Sequence, residues 1–377
     1  MAITFRFANC DEYARLSRFL HEYWAKDHAY CRMPELFEWT FRRSTHWPED
    51  QYSFALAEDN GELAGILGGI PFTFNAFGKE SRSVWIVNYV ISPEHRKGTL
   101  ALQLLSQFRR PEFDPVVAFG ITQASTVIYK VLRGEVLPEM PRRILLLPEH
   151  RGRMAQLLTL VKPDWDAARV DELTDALVRP VPVQAAPKFS CGIPERWDEI
   201  DWPAFAANTI GASRNSEYLD WRYRQHPVFD YKFLAVADGM RTGLLVWRLE
   251  TIRRQTEEGR VDVDRIGRLV EFMPTSEDNA QQLLLTFIEQ LRASGAFGAD
   301  YYGFHGPTGR VLEQAGFVLT SGHADGNSIP SRFQPLDGKG GALLSAIFLK
   351  QNLPKNWDAP DCPWYWTKAD SDQDRPN

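Results

Sequence analysis

The run Arg96-Lys97-Gly98-Thr99-Leu100-Ala101 is the stretch of this chain whose residue types and spacing best suit chemistry. It joins "VNYVIS", β-branched and aromatic like a buried strand, to "LALQLL", whose Leu and Ala recur at helical spacing. A helix that opens directly after a strand presents unpaired N–H groups and a partial positive charge, and both suit phosphate oxygens. Arg96 and Lys97 add cations, Gly98 permits a left-handed backbone, and the small Thr99 and Ala101 let an anion approach the main chain. Neither GxxxxGK[ST] nor GxGxxG occurs, so this is not the loop of a P-loop nucleotidase or of a dinucleotide-binding fold. On loop chemistry alone, an anion site and a plain turn with a capping Thr remain equal readings.

Bulk properties narrow the classes. The chain has 377 residues, of which 44% are hydrophobic, enough for two cores. A formal charge of −6 argues against a nucleic-acid surface, which needs clustered cations. Cys10, Cys31, Cys191 and Cys362 are scattered, without CxxC or His spacing, so no zinc site or disulfide framework is expected and the reducing cytoplasm fits. No HExxH or other ligand spacing appears, so no metal is expected. The opening residues lack a basic-then-apolar leader, and no window is long and apolar enough for a membrane span. GxSxG and cysteine-nucleophile settings are also missing.

The elements that position the loop are legible. "DEYARLSRFLHEYWAKDH" has helical periodicity behind a capping Asp, whereas "YSFALAED", "GELAGILGGIPFTFN" and "SRSVWIVNYVIS" read as three strands, the first two joined by an Asp-Asn-Gly turn. A second set repeats the order. Trp39 in "FEWTFRR" matches Trp221 in "LDWRYRQHP", 182 residues on; Pro93 matches Pro274 at 181, and Gly134 matches Gly316 at 182. Three anchors at nearly one spacing imply a tandem duplication of an α/β unit. The Pro- and Ala-rich "LVRPVPVQAAPKFSCGIPERW" reads as a linker with a boundary near residue 185, giving domains 1–185 and 186–377. The tail "DSDQDRPN" alternates Asp like the start of a calcium loop but lacks its Gly and Glu, and reads as solvated. The repeated Trp-Arg segments read as packing elements before substrate contacts.

In this context the loop resembles the acyl-CoA pyrophosphate loop of the GNAT superfamily of CoA-dependent N-acyltransferases, Arg/Gln-x-x-Gly-x-Gly/Ala after a strand ending Val-x-Pro. Here the pattern is Arg96 to Ala101 behind Ile91-Ser92-Pro93, with Thr99 departing from the usual Gly. "FGITQASTVIYKVLRG" is similar to the family's next strand and helix, with Thr122, Ser125 and Tyr129 at the Asn, Ala and Tyr positions. The resemblance spans most of residues 1–147. It implies two tandem GNAT-like domains of mixed α/β type, each a mostly antiparallel sheet flanked by helices. It also implies acetyl-CoA as co-substrate, held by Val90, Ile91, Ser92, Arg96, Lys97, Gly98, Thr99, Leu100, Ala101, Thr122 and Ser125. The second half keeps the scaffold, but Glu277 and Asp278 stand at the loop position and Val311 at the tyrosine position, so it is expected to wall an acceptor site without binding CoA.

The implied reaction is acetyl transfer to a primary amine. Tyr129 is the implied acid for the departing thiolate, since a phenol's ordinary pKa lies above a thiol's. Main-chain N–H near Val90 or Ile91 would polarise the carbonyl. Asn88 stands where relatives often carry an acid and cannot itself take a proton, so a base is sought through water or from Glu271 or His305; Trp85 and Asn88 join these two as candidate acceptor contacts. Similarity to tandem bacterial transferases suggests an amino-sugar or polysaccharide precursor as acceptor. Two other readings stand beside it: a Fem-type aminoacyl-tRNA-dependent transferase, which the acidic charge disfavours, and a non-catalytic CoA- or glycan-binding protein. Oligomeric state is not legible.

Overall fold

The computed structural model describes residues 3–43, 46–182, 189, 191–323, 325–338 and 343–376. The boundary expected near residue 185 lies outside the described residues. In chain order the first part comprises β1 (Thr4–Asn9), α1 (Tyr13–Tyr23), α2 (Ala29–Arg32), α3 (Pro34–Phe41), β2 (Gln51–Asp59), β3 (Glu62–Ala76), β4 (Lys79–Ile91), α4 (Leu100–Ser106), β5 (Val116–Phe119), α5 (Thr126–Val131), β6 (Glu135–Leu137), β7 (Arg142–Leu146), α6 (Arg151–Val161) and α7 (Ala167–Leu177). After it come β8 (Cys191–Gly192), α8 (Trp202–Ala206), β9 (Ile210–Ala212), α9 (Ser216–Leu219), β10 (Lys232–Asp238), β11 (Arg241–Thr256), β12 (Gly259–Met273), α10 (Glu277–Ala293), β13 (Gly298–Tyr302), α11 (Gly306–Gln314), β14 (Val318–Leu319), β15 (Ser345–Phe348) and β16 (Trp364–Tyr365). The three strands read from the sequence form as an antiparallel meander. The edge strand β1 adds to them: Phe5 and Phe7 alternate with Arg6 and pack on the outer core.

Two sheets result. The first runs β1-β2-β3-β4-β5-β15-β6, with β9 and β16 added along the far end of β3; the second runs β14-β7-β13-β12-β11-β10-β8. Read from corresponding edges, the two orders match strand for strand, with one twist. The strand between β5 and β6 is β15, from near the end of the chain, and the strand between β13 and β14 is β7, from the first half. At this place in the order each half lends a strand to the other's sheet, and β9 and β16 of the second half also join the first, so neither sheet is built from a contiguous segment.

Packing follows the pleat. On β4, Trp85 and Val87 face a core shared by the two sheets, while Val84 and Ile86 face an outer core with Leu100 and Leu104 of α4 and Tyr129 of α5. Helices α1 to α3 and the chain's last segment supply Phe37, Tyr30 and Trp366 to the shared core. Outside the second sheet, α10 and α11 form the equivalent outer core. The Trp pair that marked the duplication sits at the junction of the halves. Trp39 and Trp221 stack at 4.7 Å, and each indole N–H donates to the other residue's carbonyl, at 3.0 and 3.1 Å. Such reciprocity is the signature of a two-fold relation, and the reading of these segments as packing elements holds.

Candidate active site

β4 and β5 pair in parallel only at Val84–Val116 and Trp85–Val117. Beyond these pairs the strands separate. Between the pairs Ile66–Val90 and Gly68–Val87, two residues of β4 stand against one of β3, and this bulge turns β4 away from β5. Asn88, in the bulge, takes φ of 50°, a left-handed backbone that Asn tolerates. The divergence leaves a V-shaped cleft of about 1210 Å³, lined by Val87 to Ile91 on one side and Ala118 to Ile121 on the other. Without a strand on that side, alternate main-chain N–H groups of β4 beyond Trp85 face the opening.

The loop Arg96 to Ala101 lies at one end of this cleft. Arg96 to Thr99 are exposed, and Thr99 caps α4 without a side-chain bond, so the first N–H groups of the helix are left to solvent or a ligand. Gly98 has φ of 116°, which a side chain would resist. Arg96 lines the cleft and donates from Nε to the Ile91 carbonyl at 3.1 Å; the Tyr89 hydroxyl donates to the Ala101 carbonyl, tying strand to helix. Across the cleft Thr122 and Ser125 bond through their hydroxyls at 3.2 Å and start α5, which carries Tyr129 into the wall. Tyr129 is 4% exposed and packs on Phe348 of the exchanged β15 at 5.8 Å. Burial holds its phenol above the usual range, so it stays protonated.

Val90, Ile91, Arg96, Ala101, Thr122, Ser125, Tyr129 and Asn88 all line the cleft. Lys97, Gly98 and Thr99 stand exposed beside it. Ser92 and Leu100 turn away: the Ser92 hydroxyl is buried against His95 Nδ1 at 2.8 Å, and Leu100 packs beneath α4.

Three acceptor candidates require correction. Trp85 is buried and stacks on Phe72 at 3.7 Å, an inward position dictated by the pleat. Glu271 is buried with both oxygens engaged, by Arg214 Nε at 2.7 Å, Tyr223 at 2.6 Å and Tyr365 at 2.7 Å. His305 caps α11, its Nδ1 bonded to Thr308, and burial lowers its pKa to about 3. None of the three lines the cleft.

The tail supplies what those candidates do not. Far from being solvated, Asp370 and Asp374 are buried: Asp370 accepts from Arg214 Nη2 at 2.9 Å, and Asp374 from Arg248 Nη2 at 2.6 Å and the Tyr231 hydroxyl at 2.7 Å. These anchors bring Asp372, Gln373 and Arg375 into the cleft wall. Gln373 donates to the Phe119 carbonyl at 3.3 Å and crosses Gly120, where a Cβ would meet the Gln373 amide oxygen at 2.6 Å. His28 lines the same wall from the start of α2. No local pattern signals either segment, because their partners are remote in sequence.

The second sheet has the same junction in closed form. β12 and β13 pair over Gly267–Ala299 to Leu269–Tyr301, and beyond Leu269 the strand is again irregular at Val270. There Tyr365 fills the gap, its hydroxyl accepting from the Phe272 N–H at 2.9 Å and donating to Glu271. The head of α10 is capped by Ser276, whose side chain accepts from Asn279 N–H at 3.1 Å, and Asn279 is itself buried there.

A mixed sheet with splayed central strands, an uncapped helix beside the splay and a tyrosine-bearing helix across it define the acyl-CoA N-acyltransferase fold. The sequence model of the Acetyltransferase (GNAT) family matches residues 13–110. Among solved structures, the chain resembles a GCN5-related N-acetyltransferase from Anabaena variabilis (TM-score 0.52, 13% identity, covering 92% of this chain and 72% of that one). It likewise resembles a probable N-acyltransferase from Enterococcus faecalis (TM-score 0.52, 12% identity, 93% and 73%). A third likeness is to Saccharomyces cerevisiae N-myristoyltransferase with bound myristoyl-CoA (TM-score 0.51, 12% identity, 94% and 80%). No curated protein matches in sequence. Residues 13–110 thus carry the sequence pattern of a GNAT domain, and the chain has the N-acyltransferase fold with two sheets of matching strand order. Among the described residues no helix is long and apolar enough to cross a membrane, and no group of three or more His, Cys, Asp or Glu is placed to hold a metal ion.

Proposed function

We propose that the protein transfers an acetyl group from acetyl-CoA to a primary amine, with donor and acceptor meeting in the cleft between β4 and β5. The observation that carries this reading is the coincidence of three features at one opening: splayed strands, the uncapped head of α4 beside Arg96, and the protonated Tyr129. A bound thioester supplies the acyl carbon and a thiol leaving group. Arg96, Lys97 and the free N–H groups at Gly98 to Leu100 hold the diphosphate, and β4 N–H groups beyond Asn88 polarise the acyl oxygen. Tyr129 delivers its proton to the departing sulfur. Asp372 replaces Glu271 and His305 as the proposed base: it is 5% exposed, lines the cleft, and is held at 2.8 Å by Arg375.

The division of labour is part of the proposal. The sheet containing β4 and β5 binds the donor, while the second half contributes Gln255, Arg260, Arg332 and Pro335 to the acceptor wall. An amino-sugar is one acceptor class that this wall suits. Thermal shift with CoA and acetyl-CoA, followed by product mass after incubation with a panel of primary amines, tests the reading. Stabilisation by both CoA species and a mass gain of one acetyl group on an amine are expected; stabilisation by aminoacyl-tRNA alone, or by no CoA species, overturns it.

A further inference from the structure

The acceptor end of the cleft carries a charge pattern that the transfer chemistry does not use. Apart from Arg96 and Asp372, which the transfer uses, four arginines (Arg32, Arg260, Arg332 and Arg375) and Asp27 line the cleft among the described residues, in a chain whose formal charge is −6. Of the aspartates, Asp372 is paired with Arg375 at 2.8 Å, and the Asp27 main-chain carbonyl accepts from Arg32 Nε at 2.9 Å. The local balance is therefore positive where the molecule as a whole is not.

This positive end lies on the far face of the sheet from the diphosphate loop. Ala29 and Tyr30, next to His28, belong to the core shared by the sheets, whereas α4 and α5 belong to the outer one. The charges that bear on His28 are those of Arg375, Arg32 and Arg332, and Arg96 is not among them. His28 Nδ1 accepts from the Tyr30 N–H at 3.2 Å, so the neutral ring carries its proton on Nε2. That N–H is buried and meets no partner among the described residues. Burial first, then the three arginines, lower the His28 pKa to about 3, and the ring is neutral at physiological pH. A buried N–H donor beside three arginines suits an anionic group.

The arginines are placed in advance. The segment bearing Arg332 is pinned by Arg142, which donates to the Ile329 and Pro330 carbonyls at 2.9 and 2.7 Å, and by Arg268, which donates to the Ser331 carbonyl at 2.9 Å. Arg260 sits across from Gln255 near the tip of the β11–β12 hairpin. We propose that the acceptor is an amine that also carries a carboxylate or phosphate, bound by Arg332, Arg260 and the His28 Nε2–H while Asp372 faces the amine. This assignment rests on the acyl-transfer reading and adds a substrate class to it.

Matched acceptors test it at saturating acetyl-CoA: 2-aminoethanol, O-phosphoethanolamine and β-alanine, and glucosamine with glucosamine 6-phosphate. The expected result is a kcat/KM at least about tenfold higher for an anionic member than for its neutral partner, with phosphate and carboxylate arms telling the two anions apart. Arg332→Ala, at an exposed position, should reduce that ratio about tenfold without changing the acetyl-CoA Kd, and Arg260→Ala should act in the same direction. Inorganic phosphate titrated into CoA-saturated protein reads the subsite without turnover: it should raise the melting temperature of the native chain and not of Arg332→Glu. Equal rates for neutral and anionic acceptors, or equal stabilisation of native chain and variant by phosphate, overturns the proposal. Failure of acetyl-CoA to bind instead overturns the acyl-transfer reading, and phosphate titrated into the free native chain and into Arg332→Glu then still decides the anion site.

Discussion

The same strand-to-helix junction occurs twice in this molecule, once open and once shut. In the first sheet, β4 and β5 part after two paired positions and leave a lined cleft. In the second, Tyr365 occupies the equivalent gap and Glu271 beneath it is locked by Arg214 and two tyrosines. The helix heads differ in the same sense: Thr99 leaves α4 uncapped, whereas Ser276 caps α10 and Glu277 and Asp278 place negative charge in its first turn. A duplicated fold can thus keep its architecture while one copy exchanges a ligand site for a buried polar network. At the open junction, substitutions should change binding or rate; at the closed one they should change stability.

The largest effect is expected at the closed junction. Arg214→Ala leaves Glu271 and Asp370 as buried, unpaired carboxylates and should cost about 3–5 kcal/mol of unfolding free energy, read as a lower urea midpoint. Next comes Tyr129→Phe at the open one. It should lower kcat about a hundredfold with the melting temperature nearly unchanged, since the ring and its contact with Phe348 remain. A stability loss without a rate loss would make Tyr129 a core residue only.

Acid should act on both regions at once. His28 at the open side and His305 at the closed side each have a folded pKa of about 3, lowered by burial, against an ordinary value of 6.5. The unfolded chain therefore binds more protons below pH 6.5, and the stability these rings contribute above that pH is lost as pH falls toward 3. Between pH 6.5 and 5 each should cost about 2 kcal/mol, measurable as a falling urea midpoint, and His305→Gln should flatten part of the slope. Smallest is Glu277→Lys at the head of α10, expected to cost about 0.5 kcal/mol through the helix dipole and to leave acetyl-CoA binding unaltered.

What the sequence disclosed follows from what is local. The strand-loop-helix of Val87 to Leu105, the hairpins and the repeated Trp39 and Trp221 are short-range patterns, and the structure contains all of them. Long-range events left no such trace. Nothing in "RRILL" or "SAIF" tells which sheet a buried strand will join, so the exchange of β7 and β15 was hidden. The tail misled for a related reason. Asp370 and Asp374 look solvated until Arg214 and Arg248, more than a hundred residues away, are known to be their partners. Glu271 and His305 sit in suitable stretches of chain, but the pleat and a helix cap turn them from the cleft.

Isothermal titration of acetyl-CoA into the native chain, into Arg96→Glu/Lys97→Glu and into Glu277→Lys/Asp278→Lys puts the contrast between the junctions to its most direct test. One equivalent per chain is predicted, weakened at least about tenfold by the first pair of changes and untouched by the second. Two equivalents, or one that responds to the second pair and ignores the first, would contradict the assignment of the donor to the open junction.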